Sequence, residues 1–248
     1  QRLVSQQDVF LDDHLRRRDF CVMAISFTAH PTVEIRGLTQ CLVDRGYRAS
    51  KMATYLVDLT GEFERNLHRS VGKNARSCLR RGVEIVIVSD EEFPAYYQLV
   101  NGFRLEAGLL GFPLEDFLLH QEVLREQRVL FGAKYEGKFI AGLGVLACNG
   151  LLIECEAATS QVCFEQRLFV NDLIKLEIMR WGRRNGYRLF DLAGVAVEPE
   201  DDKAAGIRRF KEKFGGDYVE YDSFEKDLTR VRGAVLAWAR RLHRYSRA

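Results

Sequence analysis

The chain has 248 residues, of which 47% are hydrophobic and 29% charged, with a formal net charge of +2. This is a globular composition, enough for one large domain or two small ones. A charge so small excludes a global electrostatic pull toward nucleic acid, so any such argument must be local. No apolar run reaches the roughly 18–20 residues of a membrane span, and the opening residues lack the charged and apolar regions expected of a secretory signal. The six cysteines form no C-x-x-C pair and the five histidines show no metal-ligand spacing. Together these exclude a structural zinc site and predict reduced thiols in a cytoplasmic protein. The chain opens at Gln1 rather than Met, which predicts a processed product or a preceding segment.

Residues 8–18 read as a helix and 20–27 (FCVMAISF) as a buried strand. After His30-Pro31 a helix runs to Gly46, and 53–59 (ATYLVDL) is a strand. Thr60 is then expected to cap a helix through Arg81, with Glu62 in its first turn. A short strand at 83–88 precedes two helices split at Gly111-Phe112-Pro113. Next comes a three-stranded meander, turning at Glu136-Gly137 and Asn149-Gly150, the latter a strong hairpin signal. A helix over about 168–184 carries an apolar stripe through Val170, Leu173, Ile174, Ile178 and Trp181. A strand at 187–194, a helix from Lys203 to Phe214 and the strand DYVEY follow. Asp222 and Glu225 form an expected capping box for a last helix, and the end of the chain is basic, with six arginines after Lys226. The order implies a mixed α/β sheet with a central antiparallel meander and flanking helices.

Several features could carry chemistry. In the helix at 61–81, Arg65, Arg69, Lys73, Arg76 and Arg80 form one stripe opposite the apolar positions. Like charges at i,i+4 repel, so the row is not self-stabilising, and it reads either as a phosphate-facing surface or as a solvated basic face. Glu154 and Glu156 alternate with Ile153 and Cys155, which predicts both carboxylates on one face of a strand. Desolvation would raise their pKa toward the range useful to a general base, with Glu156 favoured as the deeper of the two. Asp191 stands at the carboxyl end of an apolar strand, where ligands gather in open α/β sheets. In GIRRFKEKFGG (206–216), Ile207, Phe210 and Phe214 face the core, flanked by Arg208, Arg209, Lys211 and Lys213. Locally this is a basic amphipathic helix closed by two glycines. No Walker sequence occurs, and GLGVLACNG sits in a hairpin, which excludes kinase and dinucleotide readings.

Three ordered segments carry a resemblance. YLVDLTGEFERNLHRSVGKNARSCLRRGVEI resembles a strand with an Asp-Leu-Ser/Thr turn followed by an R-x-x-R-x-A-x-x-x-G-V helix. NDLIKLEIMRWGRRNGYRLFDLAG resembles a helix, Gly-Tyr and an Asp-x-x-Gly strand end. GIRRFKEKFGGDYVEY resembles a G-x-x-x-F-K-x-x-F-G-G close. Together, over about residues 20–225, they are similar to the FemAB-type peptidyl/acyltransferases of GNAT-like fold.

The resemblance implies twin GNAT-like halves, with 1–48 a remnant of the first, 49–225 the acyltransferase domain and 226–248 a basic helix. It implies acyl or aminoacyl transfer to an amine of a cell-envelope precursor such as peptidoglycan or polysaccharide. Glu156 or Asp191 would be the base and Lys211 would meet the donor phosphate or acyl carbonyl. Arg69, Lys73, Arg76, Arg209 and Lys213 would bind substrate, and no metal or resident cofactor is expected. The acyl-CoA loop Q/R-x-x-G-x-G/A is missing from ATSQVCFEQRLFVND, which turns the expectation toward aminoacyl-tRNA or another carrier as donor. The alternatives are a CoA-dependent N-acetyltransferase and a non-catalytic GNAT-like module that binds RNA through the 65–80 stripe.

Overall fold

The structure, a computed structural model, describes residues 24–28 and 38–227. The expected helix at 8–18 and the terminal helix beyond 227 lie outside the described residues. The chain divides into two compact units, residues 1–52 with 220–248, and residues 53–219.

In the smaller unit, strand β1 (Ala24–Thr28) pairs antiparallel with β8 (Asp217–Asp227), from Ala24 opposite Asp227 to Thr28 opposite Ser223. Helix α1 (Leu38–Asp44) buries Leu42 and stops at Gly46, whose φ of +82° a glycine takes freely. The expected capping box does not form. Asp222 accepts from Thr39 at 3.1 Å and pairs with Lys51 at 2.7 Å, so its carboxylate serves contacts distant in sequence while β8 continues to Asp227. The alternation of Tyr221, Ser223 and Glu225 with Phe224 suits a strand as well as a helix start, and strand pairing decides.

The larger unit holds β2 over its residues 53–58 (the strand runs Arg48–Asp58), then α2 (Arg69–Arg80), β3 (Glu84–Ile87), α3 (Phe93–Glu106) and α4 (Leu114–Val123). The meander follows as β4 (Arg128–Tyr135), β5 (Lys138–Cys148) and β6 (Leu151–Thr159). After it come α5 (Gln161–Glu165), α6 (Val170–Arg184), β7 (Leu189–Asp191) and α7 (Asp202–Glu212). Its strands lie in the order β2-β7-β6-β5-β4-β3, with β6 and β7 parallel and the other pairs antiparallel. The Asn149-Gly150 turn takes φ of +47° and +78°, the mirror-image turn that matches strand twist.

Two apolar layers cover the sheet. On one face α2 and α6 lie side by side, and Val71, Ala75 and Cys78 of α2 join Leu173, Ile174 and Ile178 of α6 over Leu143, Val145 and Leu152. On the other face α3 and α4 pack Phe93, Tyr96, Val100 and Phe117 over Leu130 and Ala158. Gly142 makes room there: a Cβ would stand 2.6 Å from the Tyr96 ring.

Helix α2 starts later than its sequence suggests. Thr60 donates its hydroxyl and its N–H back to Asp58 at 2.7 and 2.8 Å instead of capping forward. A 3-10 turn covers Phe63–Asn66, and the His68 ring caps α2 by accepting from the Ser70 N–H. Arg65 therefore leaves the stripe and pairs with Glu62.

Candidate functional site

Strands β6 and β7 pair only where Leu151–Ile153 meet Leu189–Asp191. β7 then stops while β6 runs on to Thr159, so the two edges part. The parting is fixed at Asp191, which is buried. Its carboxylate accepts the Ala193 N–H at 2.8 Å and the Thr54 hydroxyl, and Thr54 also reaches the Ala193 carbonyl at 3.0 Å. These bonds hold Ala193 at φ +60°, an uncommon conformation for a residue with a Cβ. The turn presents the carbonyls of Ala193 and Gly194 to the Lys211 ammonium, which donates to them at 3.3 and 3.2 Å. Burial holds the Lys211 pKa below its ordinary value; Glu154 and Asp191 oppose this, while Lys175 adds to it.

Two buried charges on α6 complete this cluster. Lys175, with a side chain 3% exposed, pairs with Glu154, 10% exposed. Asp172 accepts from Lys213 at 2.8 Å and from Asn74 of α2 at 2.6 Å, and the Lys213 ammonium stands 4.5 Å from the Phe210 ring centre. Beside this group opens a cleft of about 380 Å³ lined by Phe164, Phe169, Asp172, Phe210, Arg167 and Lys213. The segment between β6 and α6 folds as the short helix α5, with Arg167 at φ +48° before α6 begins. The walls of the cleft are mostly apolar, and of its two cations Lys213 is paired with Asp172 while Arg167 is exposed.

Glu156 stands elsewhere. The register of β5 against β6 shifts between Gly144, opposite Glu156, and Val145, opposite Glu154, so Cys155 is the extra residue of a β-bulge. The bulge breaks the alternation that would put both carboxylates on one face. Glu154 points to α6 and Lys175, whereas Glu156 accepts the Tyr96 O–H at 3.1 Å and Arg128 Nη2 at 2.8 Å on the α3 side. Burial raises the Glu156 pKa, and Arg128 opposes the rise.

Lys211, Asp191 and Lys213 are thus gathered by α7 and the β7 turn around Glu154 and Lys175, while Glu156 lies across the sheet. Lys211 and Lys213 diverge, as a helix requires: one reaches the turn carbonyls, the other Asp172. Arg69, Lys73, Arg76 and Arg209 are exposed, and among the described residues none of the four forms an ion pair. Sequence reasoning missed Lys175, Asp172 and Arg167. The available signal was a Lys and an Asp inside a helix whose apolar positions are too many for one face. Among the described residues no group of His, Cys, Asp and Glu could hold a metal ion.

No protein-family model matches the sequence, and no curated protein matches it. Solved structures do. FemX superposes with a TM-score of 0.63 at 14% identity, over 87% of this chain and 76% of FemX. The fold is GNAT-like. L-PGS from Bacillus licheniformis gives 0.55 at 17% identity, over 84% of this chain and 70% of that one. A tandem GNAT protein from the clavulanic acid biosynthesis pathway gives 0.55 at 13% identity, over 88% and 67%. At such identities the likeness establishes architecture, and function has to be argued from the site.

Proposed function

We propose that the protein transfers an acyl or aminoacyl group to an amine of a cell-envelope precursor, acting in the cytoplasm without a resident cofactor. The observation that carries this reading is the Lys211 ammonium, held by two carbonyls at the mouth of the β6–β7 fork. The acyl carbonyl of an ester or thioester enters the fork from the cleft by α6. The amine nitrogen attacks the carbonyl carbon, and Lys211 meets the oxyanion. The C–O or C–S bond to the carrier then breaks, releasing an alcohol or thiol. Glu154, on the same face as Lys211 and bonded by Lys175, receives the proton of the attacking amine and passes it to the leaving oxygen or sulfur. Asp191 acts through the turn it braces and positions Lys211.

The donor reading favoured is aminoacyl-tRNA. A helix replaces the glycine-rich loop that would cradle a CoA pyrophosphate, and Arg69, Lys73, Arg76 and Arg80 offer exposed cations to a phosphate backbone. The FemX and L-PGS likenesses agree with acyl transfer at the level of fold.

The test is single-turnover transfer from radiolabelled aminoacyl-tRNA and, separately, acetyl-CoA to amine acceptors, with the wild type, Lys211→Met and Glu154→Gln. Lys211→Met should lower the single-turnover rate constant by about 100-fold or more, the effect of losing one oxyanion donor, with donor affinity kept within about threefold. Undiminished turnover in Lys211→Met would overturn the assignment. Calorimetric binding of acetyl-CoA with efficient acetyl transfer would replace tRNA by CoA as carrier.

A further inference from the structure

On the face away from Lys211, α3 and α4 roof a cavity of about 390 Å³ over the bulged part of β6. Its walls are apolar, with Val100, Phe103, Phe112 and Phe117 among them. Arg104 and Arg128 line it with a single carboxylate, Glu156. Arg128 is the unusual member. Its side chain is only 6% exposed and its guanidinium carbon stands 5.0 Å from the Phe117 ring centre. Nη2 is bonded to Glu156 at 2.8 Å, but Nη1 is buried with no hydrogen-bond partner. An unpaired charged donor away from water is costly, and an anionic oxygen in the cavity supplies what it lacks after a small side-chain adjustment. Arg104 adds a second cation, with Nε donating to the Leu110 carbonyl at 3.1 Å and its guanidinium over the Phe112 ring.

Leu109, which lines the cavity, is exposed, as are Leu105, Leu119 and Val123 on the same helix pair, and Leu110 at their junction is 87% exposed. Such a patch beside a charged pocket is more than scattered surface leucine.

We propose that this cavity binds a single-chain amphiphilic anion, its head on Arg128 and its aliphatic tail along the phenylalanines and out over the leucines. The site is distinct from the β6–β7 fork and does not depend on the reaction proposed there. Glu156 competes with the ligand for the Arg128 guanidinium and so sets the affinity.

The experiment is calorimetric titration of the full chain with dodecanoate below its micelle concentration, beside dodecyltrimethylammonium and acetate. Dodecanoate should bind with one-to-one stoichiometry, at least about tenfold tighter than the cationic amphiphile, and acetate should show no heat. Arg128→Gln should weaken dodecanoate by about 10- to 100-fold, the equivalent of one charge-assisted hydrogen bond. Glu156→Gln leaves Arg128 in place and removes the competing charge, so it should tighten dodecanoate several-fold. Should Arg128→Gln not fold, the Glu156→Gln result decides alone. Equal binding of both amphiphiles, or weaker dodecanoate binding by Glu156→Gln, overturns the proposal.

Discussion

Gly215 closes the helix that carries Lys211, and its replacement by alanine tests how the site is held. The residue has φ +70°, and a Cβ built there lies 2.4 Å from the backbone oxygen of Asn66 and 2.7 Å from its carbonyl carbon. Two costs therefore add. The left-handed conformation costs a residue with a Cβ about 1–2 kcal/mol. Overpacking against backbone, which cannot rotate aside as a side chain can, costs about 1–3 kcal/mol. Gly186 separates them: its φ is +79°, but nothing lies within 4 Å of its Cβ position. Gly186→Ala should lose only the torsional part, and Gly215→Ala about 2–5 kcal/mol in all. At about 2–4 °C per kcal/mol for a chain of this size, Gly215→Ala should melt roughly 4–20 °C below the wild type and Gly186→Ala only about 2–8 °C below. The readout is circular dichroism at 222 nm with urea denaturation as a second measure. Equal losses in the two variants would refute the close approach of the 215 backbone to Asn66.

Lys175→Met removes the partner of the buried Glu154 and should cost about 3–5 kcal/mol in urea unfolding, while Lys175→Met/Glu154→Gln should recover more than half of it. Lys211 has a pKa below its ordinary 10.5 in the folded state. Between those values the unfolded chain binds more protons, so this residue's contribution to stability rises with pH. Lys211→Met should accordingly show its greatest gain over wild type near neutral pH, and the gap should shrink as pH climbs toward 10.5; a gap independent of pH refutes the burial argument. Replacing Arg69, Lys73 and Arg76 together by Gln should leave stability within about 0.5–1 kcal/mol. It should also make the log–log salt slope of tRNA binding shallower by about 2–3, read by filter binding; an unchanged slope would assign the stripe to solvent.

The meander and its turns are legible in sequence because their signals are local. Asn149-Gly150 needs positive φ at adjacent residues, and few residue pairs accept that. Helix starts were less legible for an equally physical reason. Thr60 followed by Glu62 has the composition of a cap, but a hydroxyl can serve an N–H ahead of it or a carboxylate behind it, and Asp58 two residues earlier wins. Likewise Asp222 and Glu225 satisfy a capping pattern, yet Lys51 and Thr39, far away in sequence, claim the aspartate. Local chemistry proposes partners at each such position; tertiary pairing selects among them.

The same distinction governs the site. Asp191 and Lys211 were readable as candidates because an Asp at a strand end and a Lys beside a core-facing Phe break the apolar pattern where they stand. The roles of Glu154 and Glu156 were not, since strict alternation assigns them one face and only the register against β5 reveals the extra residue at Cys155. One inserted residue sends Glu154 to Lys175 and Glu156 to Arg128, and so separates a fork with a cation and a carboxylate from an arginine-lined cavity behind it. The bulge is what lets carboxylates two residues apart on one strand face opposite sides of the sheet. Deleting Cys155 removes the extra residue and leaves Glu154 opposite Val145 and Glu156 opposite Gly144, now as neighbours that alternate to opposite faces, so the variant should keep Glu154 beside Lys175 and Glu156 beside Arg128. Loss of both transfer and amphiphile binding in a deletion variant that folds would refute this register.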